Sequence, residues 1–412
     1  MLRLLLSLLF ICVSVGFAKA ENWPRFRGAN GSGSSQSVRF PEQLTSENIK
    51  WSRELPGTGY GSPTIWDGQL FLHAANDDGK QHQLMAFDAA TGEPNWSVEF
   101  ASAEYKKHKF NSFATSTPAV DDKAIYSAWC AGGKLNLAAV SHAGQKLWHR
   151  DDVGEIIGGH GFGTSPIVYE QLIIIARDNE KQGDSSLMAF DRETGETAWE
   201  VARPGGRLNF ATPCVYENPT TGRDEIIFVN WPIGVTSIDP QTGKQLWEQA
   251  VFQQEKGERA VASPITANGT LYVNCAFTQG PKHLVAMKAN DAVPEVLWRV
   301  DNNSVPHIPS LIEHEGLLFA WNDSGICTCY QSADGEKLWQ KRIGGTYFGS
   351  PICVDGKLIA VNLDGDLVSI AASGEFQKLT ELKLEDACRS TPATDGKFLF
   401  IRTASKLFCL GE

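Results

Sequence analysis

Beyond its first twenty residues this 412-residue chain has no apolar run approaching the roughly 20 residues that a helix needs to cross a bilayer. It has no CxxC pair, which speaks against a zinc site, and no two of its cysteines are adjacent. H-E-x-x-H, G-x-S-x-G and Walker patterns are missing, so zinc-peptidase, α/β-hydrolase and P-loop chemistry have no sequence support. No segment of helical period extends beyond a few turns. Basic charge is also in short supply, with 37 Lys and Arg against 48 Asp and Glu and a net charge of −11. No Lys/Arg run stands out, and so acidic a chain is a poor non-specific ligand for DNA or anionic membranes. Nucleic acid is not an expected partner.

The first twenty residues read as a targeting segment. Arg3 supplies a positive start, residues 4–18 are almost wholly apolar, and Ala18-Lys19-Ala20 has the small-x-small form that a signal peptidase cleaves. Cleavage near Ala20 would leave Glu21 first, take the net charge to −13, and place the protein in the periplasm or outside the cell. Eight cysteines would remain: Cys130, Cys214, Cys275, Cys327, Cys329, Cys353, Cys388 and Cys409. An exported protein can pair such residues. Most lie in apolar, strand-like runs, however, which favours reading them as small buried hydrophobes. Cys327 and Cys329 would share a face of one strand, near the upper separation limit for a bridge.

What the chain has in abundance is glycine, 39 residues, and 12 regularly spaced tryptophans. A Ser/Thr-Pro opening recurs at Ser62, Thr117, Ser165, Thr212, Ser263, Ser350 and Thr391, and Ser310-Leu311 fits as an eighth. Successive openings lie about 40 to 55 residues apart, the length of one propeller blade. Each opening leads through short apolar strands to a glycine turn and a closing strand marked by Trp96, Trp148, Trp199, Trp247, Trp298 or Trp339. In Ala86-Phe87-Asp88-x-x-Thr91-Gly92-x-x-x-Trp96 the Asp caps the turn amides, Gly takes the left-handed conformation, and Trp covers the seam to the next blade. The seventh unit has Leu379 where its Trp would stand. The eighth stops after three strands, and its missing strand, with Trp51, lies near the other end of the chain. The expected fold is therefore all-β: an eight-bladed propeller of four-stranded antiparallel blades, closed by the N-terminal strand pairing into the C-terminal blade. Its expected divisions are a signal peptide (1–20), a leader wrapping one face (21–47) and the propeller (48–412).

The closing motif A-x-D-x-x-T-G-x-x-x-W, repeated in register, resembles the pyrroloquinoline-quinone-like (PQQ-like) repeat family over roughly residues 48–410. Trp23-Pro24-Arg25-Phe26-Arg27-Gly28 also looks like the start of exported members. The resemblance implies one of two functions. Quinoprotein alcohol dehydrogenases hold pyrroloquinoline quinone (PQQ) and calcium in the propeller cup. Non-catalytic propellers, such as the lipoprotein subunit of the outer-membrane barrel-assembly machinery, bind partner proteins. The enzymes carry an adjacent Cys-Cys disulfide beside the quinone, which this sequence lacks, and its acids are scattered at turns such as Asp67, Asp355 and Asp395. Gly159-His160-Gly161-Phe162-Gly163 leads into a strand and not a helix, so it is not a phosphate cradle.

The residues just before each opening should line one mouth of the central channel. They include Tyr60, Asn111, Phe113, His160, Phe162, Arg207, Asn209, Arg259, His307, Tyr347, Phe348 and Arg389. Arginine is suited to paired carboxylate contacts, so convergence of Arg207, Arg259 and Arg389 would make a shallow site for an anionic or aromatic ligand, such as a partner's acidic loop. The expectation is a monomeric, non-catalytic scaffold with no catalytic or metal residues, binding an envelope or secreted protein and having no membrane span. The alternatives are a PQQ- and calcium-dependent oxidoreductase and, with no motif behind it, a carbohydrate-binding propeller.

Overall fold

A computed structural model describes residues 20–35, 40–180, 185–252, 259–277, 280 and 282–412. Residues 1–19 of the expected signal peptide (1–20) lie outside them, and among the described residues no helix is long and apolar enough to cross a membrane. Thirty-two described strands form eight four-stranded antiparallel sheets. Blades 1 to 7 occupy residues 64–101, 119–150, 167–203, 214–249, 265–301, 312–342 and 352–383. Blade 8 takes three strands from the C-terminus, and Ile49–Glu54 supplies the outermost. Trp51 stands opposite Cys409 and Glu54 opposite Lys406, so the first and last strands of the propeller share one sheet.

Two devices join the blades. Around the channel, the backbone N–H of one opening Ser or Thr donates to the hydroxyl of the next. Ser62 bonds Thr117 (2.9 Å), Thr117 bonds Ser165 (2.9 Å), and the series runs on from Thr212 through Ser263, Ser310, Ser350 and Thr391 back to Ser62. Seven of the eight steps close in this way, including those at Ser310, which lacks the following proline. The proline that usually follows has no N–H, so the turn toward the next strand leaves no backbone donor unsatisfied.

At the rim, each tryptophan serves the following blade. Trp148 Nε1 donates to Arg192 O (3.0 Å), and its ring lies under Gly195, where an added Cβ would sit 2.7 Å from the indole. Trp51, Trp96, Trp199, Trp298 and Trp339 likewise donate to a carbonyl of the next blade's turn. Asp191 holds that turn by accepting from the amides of Glu193 (2.9 Å) and Thr194 (2.8 Å). Trp247 departs from the scheme and donates to buried Glu225 of its own blade (2.6 Å). The 289–294 turn it would meet in blade 5 has no glycine.

The leader crosses the channel end opposite the mouth. Glu21 N bonds Asp395 O, Trp23 pairs with Ile65, Val120 N bonds Pro24 O, Arg25 reaches Pro213 O, Arg27 reaches Leu311 O, and Cys353 N bonds Gly33 O. These contacts fall on six different blades. Phe26 points into the channel from this side and helps to floor its cavity. All eight cysteines among the described residues are buried, seven in blade strands and Cys388 in the connection between blades 7 and 8; Cys327 and Cys329 face one core and remain thiols.

Candidate functional site

The inner strand of each blade runs from the mouth toward the leader, so residues before the Ser/Thr openings are delivered to one rim. They surround a central cavity of about 650 Å³. Tyr60, Asn111, His160, Arg207, Arg259, His307, Phe348 and Arg389 all line it, as do seven of the eight opening Ser and Thr residues. These seven residues are buried, and six of their hydroxyls, all but that of Thr212, accept a backbone N–H and keep a proton of their own to donate. Another hollow, of about 730 Å³, lies beside the leader between blades 2 and 5; there Tyr169 already bonds Asp224 (3.0 Å).

Two residues expected at the site do other work. Tyr347 is buried, 1% exposed, with its ring against Trp321 at 5.1 Å. Asn209 is buried too: its Oδ1 accepts from Ala260 N (2.9 Å) and its Nδ2 donates to Arg207 O (3.1 Å), so it pins the loop that presents Arg207. Phe113 and Phe162 turn inward and pack in the core.

The three arginines share the cavity but form two groups, because blades 4 and 8 face each other across an eight-membered ring. On one wall Arg259 Nη2 meets Glu180 Oε1 at 3.2 Å, and His160 Nδ1 lies 3.3 Å from the same oxygen. The Arg259 side chain is 8% exposed. Burial lowers its pKa, with Arg207 nearby adding to the effect and Glu180 opposing it. Burial works against the Glu180 carboxylate, but the Gly159 N–H (3.0 Å), Arg259 and His160 outweigh it and hold its pKa below the ordinary value. Burial, then Arg259, likewise lowers the His160 pKa against the pull of Glu180. On the other wall Arg389 lies among three rings, with its guanidinium carbon 4.9 Å from the centroid of Phe348, 5.0 Å from Tyr60 and 5.4 Å from Phe110.

Sequence reasoning took Asn111 and Phe113 from the loop at 102–116 but passed over its basic segment. It carries Lys106-Lys107-His108-Lys109-Phe110 and bends over the mouth. His108 stacks on His160 at 5.0 Å with a 10° tilt, and Arg389 Nη1 donates to Phe110 O (3.1 Å). The Gly-rich run beneath it permits the close approach: a Cβ on Gly161 would lie 2.8 Å from the Lys107 side chain. Lys282 joins the rim as well. The available signal was spacing, since the first two openings stand 55 residues apart, the widest interval in the chain.

The mouth offers little to a metal. Asp323 spends its two oxygens on the amides of His307 (2.8 Å) and Ile308 (2.9 Å), and Glu180 is engaged as described. Among the described residues no three His, Cys, Asp or Glu side chains come together in a way that could hold an ion. Calcium takes six to eight oxygen ligands, so this donor set does not fit a calcium-held quinone.

Known proteins resemble the chain along both lines. The family described as outer membrane protein assembly factor BamB matches residues 43–155, 111–295 and 288–377. Lupanine 17-hydroxylase [cytochrome c] of a Pseudomonas species is 22% identical over 389 residues, covering 76% of this chain and 52% of that protein. BamB of Burkholderia pseudomallei (strain K96243) is 26% identical over 202 residues, covering 48% of each. The chain thus spans about half the length of these curated relatives. Among solved structures, BamB from Moraxella catarrhalis superposes with a TM-score of 0.65 at 13% identity, covering 88% of this chain and 97% of that one. Quinohemoprotein alcohol dehydrogenase from Comamonas testosteroni gives 0.67 at 13% identity, covering 96% and 81%. The structural likenesses establish the propeller, and the family match, which spans most of the chain, shows that this protein belongs to the PQQ-like repeat family described as outer membrane protein assembly factor BamB.

Proposed function

We propose that this protein is a non-catalytic scaffold of the cell envelope that docks a partner protein at the channel mouth. The observation that carries the reading is the make-up of the rim. Arg207, Arg259, Lys282 and Arg389 line a cavity in an acidic protein, and Asp323 and Glu180 at the same mouth are occupied by internal contacts. Such a rim attracts a negatively charged surface and offers no cage for a hard cation. Export to the periplasm or beyond is supported by the apolar N-terminal segment and accords with a relative named outer membrane protein assembly factor.

The test pairs capture with reconstitution. Protein purified from its native envelope should bring down a partner, and a Lys106→Glu, Lys109→Glu, Arg389→Ala variant should lose it. The same preparation, given PQQ, calcium and an artificial electron acceptor, should neither bind the quinone nor reduce the acceptor with alcohols or sugars. Quinone-dependent acceptor reduction would establish the dehydrogenase reading instead.

A further inference from the structure

Arg259 on the cavity wall keeps a strong donor in reserve. Its Nη2 is engaged by Glu180, but Nη1 of the same guanidinium is buried and makes no hydrogen bond among the described residues. An unmatched buried donor costs about 1–3 kcal/mol, so it marks a place where an acceptor belongs. Apart from Glu180 and Asp323, both held by internal contacts, its neighbours on the rim are cations and hydrogen-bond donors. Arg207 lies close enough to act on Arg259 electrostatically, Lys282 lies on the same rim, and the belt hydroxyls below have protons to give. Toward the leader, Arg25 and Arg27 are buried against backbone carbonyls and not against carboxylates, which leaves their positive charge uncancelled.

The opposite wall narrows the choice of occupant. A sugar platform needs an open aromatic face, yet Tyr60, Phe110 and Phe348 all turn toward the Arg389 guanidinium. Their outer edges and the Lys106–Lys109 loop remain as an apolar, positively charged lip, which suits a peptide bearing acidic and aromatic side chains.

Resting on the docking reading above, we propose that the partner enters as a linear acidic segment, one Asp or Glu carboxylate of which bonds Arg259 Nη1 within the cavity. Glu180 acts as an internal competitor, holding the other edge of the same guanidinium.

The probe is a fluorescein-labelled octapeptide with two glutamates flanking a phenylalanine, compared with the same peptide carrying glutamines. Fluorescence anisotropy at low salt should show the acidic peptide binding at least about tenfold more tightly to the wild-type protein, as a charge-assisted hydrogen bond implies. Arg259→Gln should remove that preference. Glu180→Gln, which frees the second edge of the guanidinium, should keep or strengthen it; this variant guards against Arg259→Gln merely disturbing the loop. Equal binding of the two peptides to wild type, or a preference that survives Arg259→Gln, would overturn the proposal. So would tighter, Arg259-dependent binding of an oligogalacturonate, which would assign the carboxylate to a polysaccharide. If the peptides fail while envelope capture still depends on Lys106, Lys109 and Arg389, docking stands and only the carboxylate contact falls. If capture itself fails, the docking reading falls with it.

Discussion

His73 and His82 meet at the seam of blades 1 and 2, wholly buried, with His73 Nε2 2.9 Å from His82 Nδ1 and Ser127 Oγ 2.9 Å from His73 Nδ1. His82 stacks on Trp129, and Arg402 Nη1 donates to His73 O (2.6 Å). Both rings are neutral in this setting. Burial brings the His82 pKa down to about 4; burial, then His82 and Arg402, holds His73 well below the ordinary value. In the unfolded chain both take up protons near pH 6.5. As pH falls from about 6.5 toward 4 the unfolded state therefore binds protons that the folded state refuses, and stability is lost; above that window it is fully present. For His82 alone the loss is on the order of 3 kcal/mol. Urea midpoints measured between pH 7 and pH 4 should fall steeply for wild type and less steeply for His82→Gln. Equal slopes would rule the pair out as the source.

A blade's closing hairpin is shaped as much by its neighbour as by its own sequence. The glycine of the motif meets the tryptophan of the preceding blade, so the T-G and W of a single repeat belong to two different seams. At Gly195, with φ of 72° and the Trp148 ring against it, alanine would bring both a left-handed backbone penalty and a clash. Gly195→Ala should destabilise the protein by about 1–3 kcal/mol in urea unfolding, whereas Gly68→Ala, at a positive φ but in open space, should cost less. The same logic explains what the sequence revealed and what it did not. Turn, tryptophan and Ser/Thr openings recur because every blade meets the same neighbour, so the wheel could be read from spacing alone. Arg207, Arg259 and His307 could be placed on the rim because they sit at a fixed offset from an opening. The Lys106–Lys109 loop lies between blades 1 and 2, and Glu180 and Asp323 sit in turns inside blades 3 and 6, away from the fixed offset that the openings mark. The division of the three arginines into two groups depends on which blades stand opposite, which emerged only once the ring was closed. Tyr347 and Asn209 share the rim offset but are turned inward by Trp321 and by the Ala260 amide.

For the whole molecule, closure depends on a strand that is distant in sequence. Ile49–Glu54 covers the Lys406–Leu410 edge and brings Trp51 over the turn of blade 1, where its Nε1 donates to Ala89 O (3.3 Å). Deleting residues 48–55 would bare a sheet edge and undo one seam. The expected result is loss of a single cooperative unfolding transition and concentration-dependent association, read by calorimetry and sedimentation. A sharp monomeric transition like that of the intact chain would contradict this account.

Because the joint between blades 8 and 1 uses the same hydroxyl contact and the same indole docking as joints inside the chain, the finished ring has no privileged starting point. The strands Ile49–Glu54 and Lys406–Leu410 that make this joint lie side by side in one sheet. A gene rewired to start between any two other blades would encode the same wheel, and the mouth, assembled from loops of many blades, would be carried over intact.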